Sequence, residues 1–349
     1  MEKNAKPYVI AGPCSVESRQ QLREASLQLS AIHGVRMIRA GVWKPRTRPG
    51  GFEGLGEPAL QWMQEVGREL GVSYCCEVAI PEHVDLCRQY GIATVWIGAR
   101  TTANPFMVEE LCYALGGSGM AVLVKNPVCP DVRLWLGAIE RLQQAGIADI
   151  MAIHRGFSMY DNQGYRNAPL WEVAMELRRE RPDIPILCDP SHIGGRRELV
   201  APLAQTAMLL DYDGLMIESH PHPDDAWTDG QQQLSPDQLA SLLAALPSPS
   251  GNAAAGNPGL EQLRHQIDSI DHELVRLLGQ RMAVSRSMAA LKRQFKMSVY
   301  QRDRWDDVVS DRLKYAAEAG LDAGFTKELL EKIHAESVRV QMEDRAQEA

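Results

Sequence analysis

The residues Ile184-Pro-Ile-Leu-Cys-Asp-Pro-Ser-His-Ile-Gly-Gly195 set a short apolar run directly ahead of Asp189, Ser191 and His192. Such a run suits a parallel strand covered on both faces. Polar groups that begin where the strand stops face the end of a sheet or barrel where these folds place their chemistry. Alone, the stretch is better read as a polar loop with a helix N-cap at Ser191. The arrangement recurs, however. Cys14 follows the first apolar run, Arg39 and Lys44 the second, Glu77 the third and Arg100 the fourth. Lys125 follows the fifth, His154 and Arg155 the sixth, His192 the seventh, and Glu218 with His220 the eighth. Stability alone does not explain eight runs that all turn polar at the same end.

These groups divide by chemistry. Cys14, His192, Glu218 and Asp229 offer sulfur, nitrogen and oxygen ligands for a divalent metal ion, from opposite ends of a sequence that barrel closure would join. For Cys14 alone, a buried small hydrophobe is the plainer reading. The loop His220-Pro-His-Pro-Asp-Asp225 supplies rival ligands that spacing does not separate. The second class is cationic: Arg39, Lys44, Arg46, Arg48, Arg100, Lys125 and Arg155. In one mouth they would repel one another unless polyanions sit among them, and arginine and lysine suit phosphate and carboxylate. Gly50-Gly-Phe-Glu-Gly-Leu-Gly56 adds backbone free to approach a ligand. A metal beside sites for two or more anions implies a Lewis-acid reaction on phosphorylated small molecules.

The elements that must position these groups follow from periodicity. Apolar runs at Tyr8–Ala11, Val35–Ile38, Ser73–Cys76, Thr94–Ile97, Ala121–Val124, Ile150–Ile153, Ile184–Leu187 and Gly214–Ile217 alternate with eight helical patterns. Among the helical patterns are Arg19–Ile32, Pro58–Leu70, Val132–Ala145 and Arg196–Leu210. Strand followed by helix, at a spacing near thirty residues, predicts an α/β fold, a (β/α)8 TIM barrel, over residues 1–246. A doubly wound sheet is the runner-up, but no GxGxxG follows the first strand. Residues 247–259, rich in Pro, Ser, Gly and Ala, read as a flexible linker. Residues 260–349 hold three helical patterns, Leu260–Phe295, Arg302–Ala319 and Thr326–Arg345, and predict a small all-α domain.

The net charge is −8, and residues 260–349 carry 15 Lys+Arg against 16 Asp+Glu, so most of the excess acid lies ahead of them. No basic footprint suggests nucleic acid. No run spans a bilayer, and the N-terminus lacks a signal-peptide core. Seven cysteines without CxxC spacing read as reduced thiols, which predicts a cytoplasmic protein.

In the helical region, apolar residues at 263, 267, 270, 274, 277, 284, 288, 291 and 295 recur in steps of three and four, predicting a buried stripe. Arg281 interrupts it. A charge there is costly unless paired, so a structural ion pair and a ligand site weigh about equally. Lys292 lies three turns later on nearly the same face, about 16 Å along the axis. Arg264, seventeen residues before Arg281, is about 25 Å away on a different face. It can reach the same pocket only from a partner's helix, which favours an intertwined dimer.

Seven motifs stand in order through residues 7–247: Ala11-Gly-Pro-Cys-Ser, Lys44-Pro-Arg-Thr, Ile97-Gly-Ala-Arg100, Val124-Lys-Asn126, His154-Arg-Gly156, Cys188-Asp-Pro-Ser-His192 and Glu218-Ser-His-Pro221. They resemble the compact type I beta family of DAHP synthases. The resemblance implies a divalent metal ion (Mn, Co, Zn, Fe or similar) on Cys14, His192, Glu218 and Asp229. It also implies phosphoenolpyruvate on Arg39, Lys44, Arg100, Lys125 and Arg155, and the phosphate of erythrose 4-phosphate on Arg46 and Thr47. Among these, Lys44, Lys125, Cys14 and His192 would serve catalysis. Arg48 departs from the family's small hydroxyl residue, and a KDO-8-phosphate synthase relative is the alternative.

Leu263-Arg264, Gln280-Arg281, Leu291-Lys292, Asp303-Arg304 and Glu336-Ser-Val-Arg-Val-Gln341 resemble the all-helical chorismate mutase family. That resemblance implies Arg264 (from a partner), Arg281, Arg304 and Ser337 around chorismate or prephenate. Lys292 and Gln341 would stand on the ether oxygen that gains charge during rearrangement. Gln301 and Trp305 replace acidic residues common in relatives, so a dimerising sensor domain is the alternative, and isochorismate pyruvate lyase a third. The combination implies a bifunctional enzyme, a homodimer or larger assembly through the helical domain, with prephenate as feedback inhibitor of the barrel.

Overall fold

The computed structural model describes residues 7–44, 50–162, 164–246 and 258–346. The chain divides near residue 251 into two compact units. In the first, eight parallel strands close a barrel in sequence order. They are β1 (Tyr8–Gly12), β2 (Val35–Arg39), β3 (Tyr74–Val78), β4 (Thr94–Ile97), β5 (Ala121–Lys125), β6 (Ile150–His154), β7 (Ile186–Cys188) and β8 (Gly214–Glu218). The helices between them are α1 (Arg19–Ser30), α2 (Glu57–Leu70), α3 (Pro81–Gln89), α4 (Ala99–Thr102), α5 (Pro105–Leu115) and α6 (Val132–Gln144). They continue with α7 (Trp171–Glu180), α8 (Pro190–Gly194), α9 (Arg197–Leu209) and α10 (Pro236–Ala245).

Each strand lies on its expected apolar run, because only runs apolar on both faces can sit between a packed barrel interior and a helix layer. Most extend one residue further, so Arg39, Lys125, His154 and Glu218 are the last residues of strands rather than the first of loops. β7 begins two residues later than expected, at Ile186. Pro185 has no N–H to contribute, although its carbonyl still accepts from Ala152 N. The short helices α4 and α8 were not among the expected patterns. In α8 the cap is Asp189, not Ser191: the Asp189 carboxylate accepts from His192 N at 3.1 Å. Ser191 instead accepts the Glu218 N–H at 2.9 Å, joining β7 to β8.

Two glycines let the first loop pack against the second. A Cβ on Gly12 would lie 2.1 Å from Arg39 O, and one on Gly41 would lie 1.9 Å from Cys14 O. Both contacts are with backbone, so no side chain could move aside.

The second unit consists of α11 (Pro258–Gln294), α12 (Arg302–Glu318) and α13 (Ala323–Ala346). Helix α11 begins within the segment 247–259 expected as linker, at a proline suited to a first helical turn; positions 247–257 lie outside the described residues. Its 37 residues extend about 55 Å. The stripe expected to be buried is not buried in the single chain: Ile267 is 58% exposed, Val284 60% and Phe295 66%. Helix α13 covers the neighbouring face instead, burying Ser285, Ala289 and Lys292. Two further helices cannot enclose both faces of so long a rod. Among the described residues, no helix is long and apolar enough to cross a membrane, and all seven cysteines are free.

Candidate functional site

The ends of the barrel sequence meet at Cys14, Glu218 and Asp229, whose ligand atoms all lie within 4.8 Å of one another. Cys14 Sγ is 3.4 Å from Asp229 Oδ2, and His192 Nε2 is 3.7 Å from Glu218 Oε1. Pairing of β1 with β8 sets Gly12 beside Glu218 and so brings Cys14 to this place. The rival ligands are turned elsewhere. His220 Nε2 faces Glu17 at 3.5 Å, His222 Nε2 faces Glu24 at 3.3 Å, and Asp224 is held by Arg197 at 2.5 Å.

The converging sulfur and carboxylates of Cys14, Glu218 and Asp229, with the His192 imidazole beside Glu218 but outside that group, suit a divalent ion of intermediate softness. Glu218 Oε1 is buried without a hydrogen bond; Arg39 Nη2 stands 2.9 Å away as a counter-charge. Burial pushes the Cys14 thiol up to about 12, with Glu218 adding to the effect. A bound cation would oppose both causes and favour the thiolate. Burial would raise the Glu218 carboxyl as well, but His192, Arg39 and Lys44 outweigh it and bring it down to about 2.

Cations line the same end. Lys44 Nζ lies 2.7 Å from Cys14 Sγ. Arg39 is 1% exposed, and its Nε and Nη1 have no hydrogen-bond partner. Arg39 and buried Lys125 both stand over the Trp96 ring, at 5.1 and 5.6 Å, and the Trp96 indole donates to Glu77 Oε2 at 2.9 Å. Lys125 Nζ is 3.0 Å from Asp189 Oδ2, and His192 Nδ1 is 2.8 Å from the same oxygen. Burial opposes the Asp189 charge, yet His192, Lys125 and Arg39 hold its carboxyl well below the usual range. The Arg155 side chain donates to Asn167 Oδ1 at 2.6 Å. Arg100 is exposed on α4. Arg46, Thr47 and Arg48 lie outside the described residues.

His154 does not belong to this mouth. It is fully buried among Phe157, Trp171 and Tyr212, on the helix side of β6, with Nδ1 2.8 Å from the Tyr212 hydroxyl. Burial lowers its pKa to about 4, so it is a neutral core residue.

Several further residues complete the site. Asp189 orients Lys125 and His192. Buried Asn126 accepts from Arg155 N at 2.7 Å and donates to the carbonyls of Pro127 and Gly156. Gln233 accepts from Cys14 N at 3.0 Å. Gln232 and Arg166 touch the Glu218 and Asp229 carboxylates. Asp189 and Asn126 stand inside quoted motifs, which was a usable signal; the glutamines and Arg166 had none.

In the helical unit, α11 and α13 gather Arg281, Lys292, Ser337 and Gln341. Arg281 Nη1 reaches Ile333 O at 3.4 Å, and Lys292 Nζ donates to Val299 O at 2.7 Å. Ser337 pairs with Ser285 at 2.7 Å, and Gln341 Nε2 donates to Ser337 O at 3.1 Å, leaving the buried Gln341 Oε1 without a partner. The His334 ring stacks on Trp305 at 4.0 Å. Burial, then Arg281 and Lys292, depress its pKa. Neither Ser285 nor His334 was singled out in sequence. Arg264 is not brought to this pocket within the chain; it pairs with Glu261 at 2.6 Å. Arg304 is exposed on α12.

Known proteins share both units. Residues 2–248 match the DAHP synthetase I family, and residues 263–342 match chorismate mutase type II. A phospho-2-dehydro-3-deoxyheptonate aldolase from Thermotoga maritima is 34% identical over 235 residues, 67% of this chain and 67% of its own. A 2-dehydro-3-deoxyphosphooctonate aldolase from Dechloromonas aromatica is 27% identical over 276 residues, 74% of this chain and 95% of its own. The crystal structure of the Thermotoga maritima DAHP synthase superposes with a TM-score of 0.61 at 33% identity, covering 68% of this chain and 67% of that one. Motif order, the closed barrel and the match over residues 2–248 agree: the chain belongs to the DAHP synthetase I family, with a chorismate mutase type II domain fused behind its barrel.

Proposed function

We propose that the barrel condenses phosphoenolpyruvate with erythrose 4-phosphate, and that the helical unit rearranges chorismate to prephenate in the cytoplasm. The observation that carries the barrel reading is Arg39, a buried guanidinium with two unpartnered nitrogens beside the ligand set. Glu218 faces only one edge of this guanidinium, and buried donors left over at that depth call for the oxygens of a bound anion. Arg39, Lys125 and Arg155 bind the carboxylate and phosphate of phosphoenolpyruvate, with Arg100 at the exposed edge. Arg46 and Thr47 take the aldose phosphate. Cys14, His192, Glu218 and Asp229 would hold a divalent ion, which would supply Lewis-acid polarisation of the aldehyde carbonyl. Lys44, held beside Cys14, is placed to give a proton to the aldehyde oxygen as C3 of the enol attacks. Water then adds at C2 and phosphate leaves. Asp189 Oδ2 stands 2.8 Å from His192 Nδ1, and Nε2, on the side of Glu218, is the nitrogen left for the ion.

In the helical pocket, Lys292 and Gln341 stabilise the ether oxygen of chorismate as it gains charge. Arg281, Arg304, Ser337 and a partner's Arg264 hold its carboxylates and hydroxyl. The exposed apolar stripe of α11 supports a homodimer. A paired assay on purified protein tests both halves: phosphoenolpyruvate loss with erythrose 4-phosphate, and chorismate loss. A strong preference for a five-carbon aldose phosphate would favour the phosphooctonate branch of relatives, and ligand binding without chorismate turnover would favour a sensor.

Prephenate bound at the helical unit would inhibit the barrel reaction if its affinity differs between arrangements of the two units. Inhibition is compared in intact protein, in Arg281→Ala protein and in the chain ending at residue 247. Equal inhibition in all three refutes a helical effector site; loss in the latter two, with barrel activity retained, supports it.

A further inference from the structure

The carboxylates of Glu218 and Asp229 are each divided between two environments. Their inner oxygens face the ligand set: Asp229 Oδ2 lies 3.4 Å from Cys14 Sγ, and Glu218 Oε1 lies 3.7 Å from His192 Nε2. Their outer oxygens are held from behind. Gln232 Nε2 donates to Glu218 Oε2 at 2.6 Å, and Arg166 Nη1 stands 3.2 Å from Asp229 Oδ1. The same guanidinium nitrogen donates to Gln232 Oε1 at 2.6 Å. Arg166 therefore fixes the amide of Gln232 with its NH2 toward Glu218, and joins the two carboxylates through one short chain of polar contacts.

This arrangement is well anchored. Gln232 is fully buried, so its amide has no water with which to exchange partners. The Arg166 N–H donates to Ile193 O at 3.0 Å. Its side chain lies along Gly195, where an added Cβ would fall 2.5 Å from Arg166 Cβ. Neighbouring Asn167 donates to His192 O at 2.7 Å, so the loop between β6 and α7 touches three members of the ligand set directly or through Gln232.

We propose that Arg166 and Gln232 are positioning residues that hold Asp229 and Glu218 as single-oxygen ligands of the divalent ion; this rests on the metal reading above. A carboxylate free at both oxygens can swing to bidentate ligation, which raises the coordination number and suits hard, oxygen-seeking ions. Tying down each outer oxygen keeps the donor set compact and of mixed softness, which suits ions that accept thiolate and imidazole.

The test titrates metal-free full-length protein with Co2+, reading d–d absorption and affinity by chelator competition, for wild type, Arg166→Met, Arg166→Lys and Gln232→Met. Loss of such outer hydrogen bonds weakens affinity about 10- to 100-fold. The two methionine variants should show that loss, with a weaker absorption band as coordination number rises. Arg166→Lys should recover part of the affinity. Thermal midpoints of the metal-free proteins separate this from a purely structural role: a lowered midpoint with unchanged Co2+ spectrum and affinity overturns the inference. Should Gln232→Met not fold, Arg166→Met decides, since that side chain is 40% exposed and its loss leaves no buried hole. A wild-type protein that takes up no Co2+ defeats the ligand reading and this inference together. Normal uptake by wild type and variants alike defeats the inference alone.

Discussion

Acid sensitivity of the barrel should trace to His154. The ring is fully buried, and burial lowers its pKa from 6.5 to about 4. Between those values the unfolded chain binds a proton that the folded chain refuses, so stability rises with pH across that window and is lost as pH falls through it. At pH 5 the unfolded imidazole is almost fully protonated and the native one hardly at all, a penalty of about 2 kcal/mol relative to pH 7.5. Below pH 4 it levels off near ~3 kcal/mol. The perturbation is His154→Asn, which keeps a polar atom near Nδ1 for the Tyr212 hydroxyl 2.8 Å away. Any packing loss from the smaller side chain is independent of pH and cancels when slopes are compared. Burial depresses the His192 pKa in the same direction, but His192 is present in both proteins and also cancels. The assay is urea unfolding of metal-free protein at pH 7.5 and 5, followed by tryptophan fluorescence, for which Trp171 lies 5.3 Å from the ring. Wild type should lose about 2 kcal/mol more than the variant over this interval. Parallel losses would refute the reasoning and mean that the native ring accepts its proton near the ordinary value.

Other outcomes follow from the sites. Asp189→Asn keeps a competent helix cap but removes the counter-charge of buried Lys125, so equilibrium unfolding should register a loss of about 3–5 kcal/mol; a change below ~1 kcal/mol would mean that Lys125 finds another partner. Chelation should abolish the condensation and a divalent ion should restore it, with Cys14→Ser needing more metal because a hydroxyl is a poorer ligand for thiophilic ions; full activity in demonstrably metal-free protein contradicts the ligand assignment. Lys292→Ala should cut chorismate turnover by about 10^2–10^3-fold with helical content intact. Mixing Lys292→Ala with Arg264→Ala chains should recover part of that turnover, and no recovery in proven mixed dimers rules out sharing of Arg264 between chains.

Much of this protein is legible before folding. Apolar runs such as Thr94–Ile97 and Ala121–Val124 become β4 and β5 because a strand apolar on both faces has only one environment that suits it, a sheet covered on both sides. The three helical patterns of the second unit recur as α11, α12 and α13 with small shifts at their ends. The cations are visible because residues of one sign recur at the same end of β2, β4, β5 and β6, where mutual repulsion gives them little structural use. Local patterns of this kind depend on neighbours in sequence.

What tertiary structure alone decided depends on partners far along the chain. His154 and Arg155 are adjacent, yet the first packs among aromatic rings and the second donates to Asn167, because successive residues leave the backbone in opposite directions. Asp224 and Asp229 are both acids of one loop, but only Asp229 turns toward Cys14. The apolar stripe of α11 was readable as a face, but whether this chain covers it depends on where α13 packs, and it packs beside it. Gln232 and Arg166, 66 positions apart, carry no mark in the sequence. Closure of the barrel carries them to within hydrogen-bond reach of the two carboxylates, and a side-chain amide has no definite role until its partners are in place.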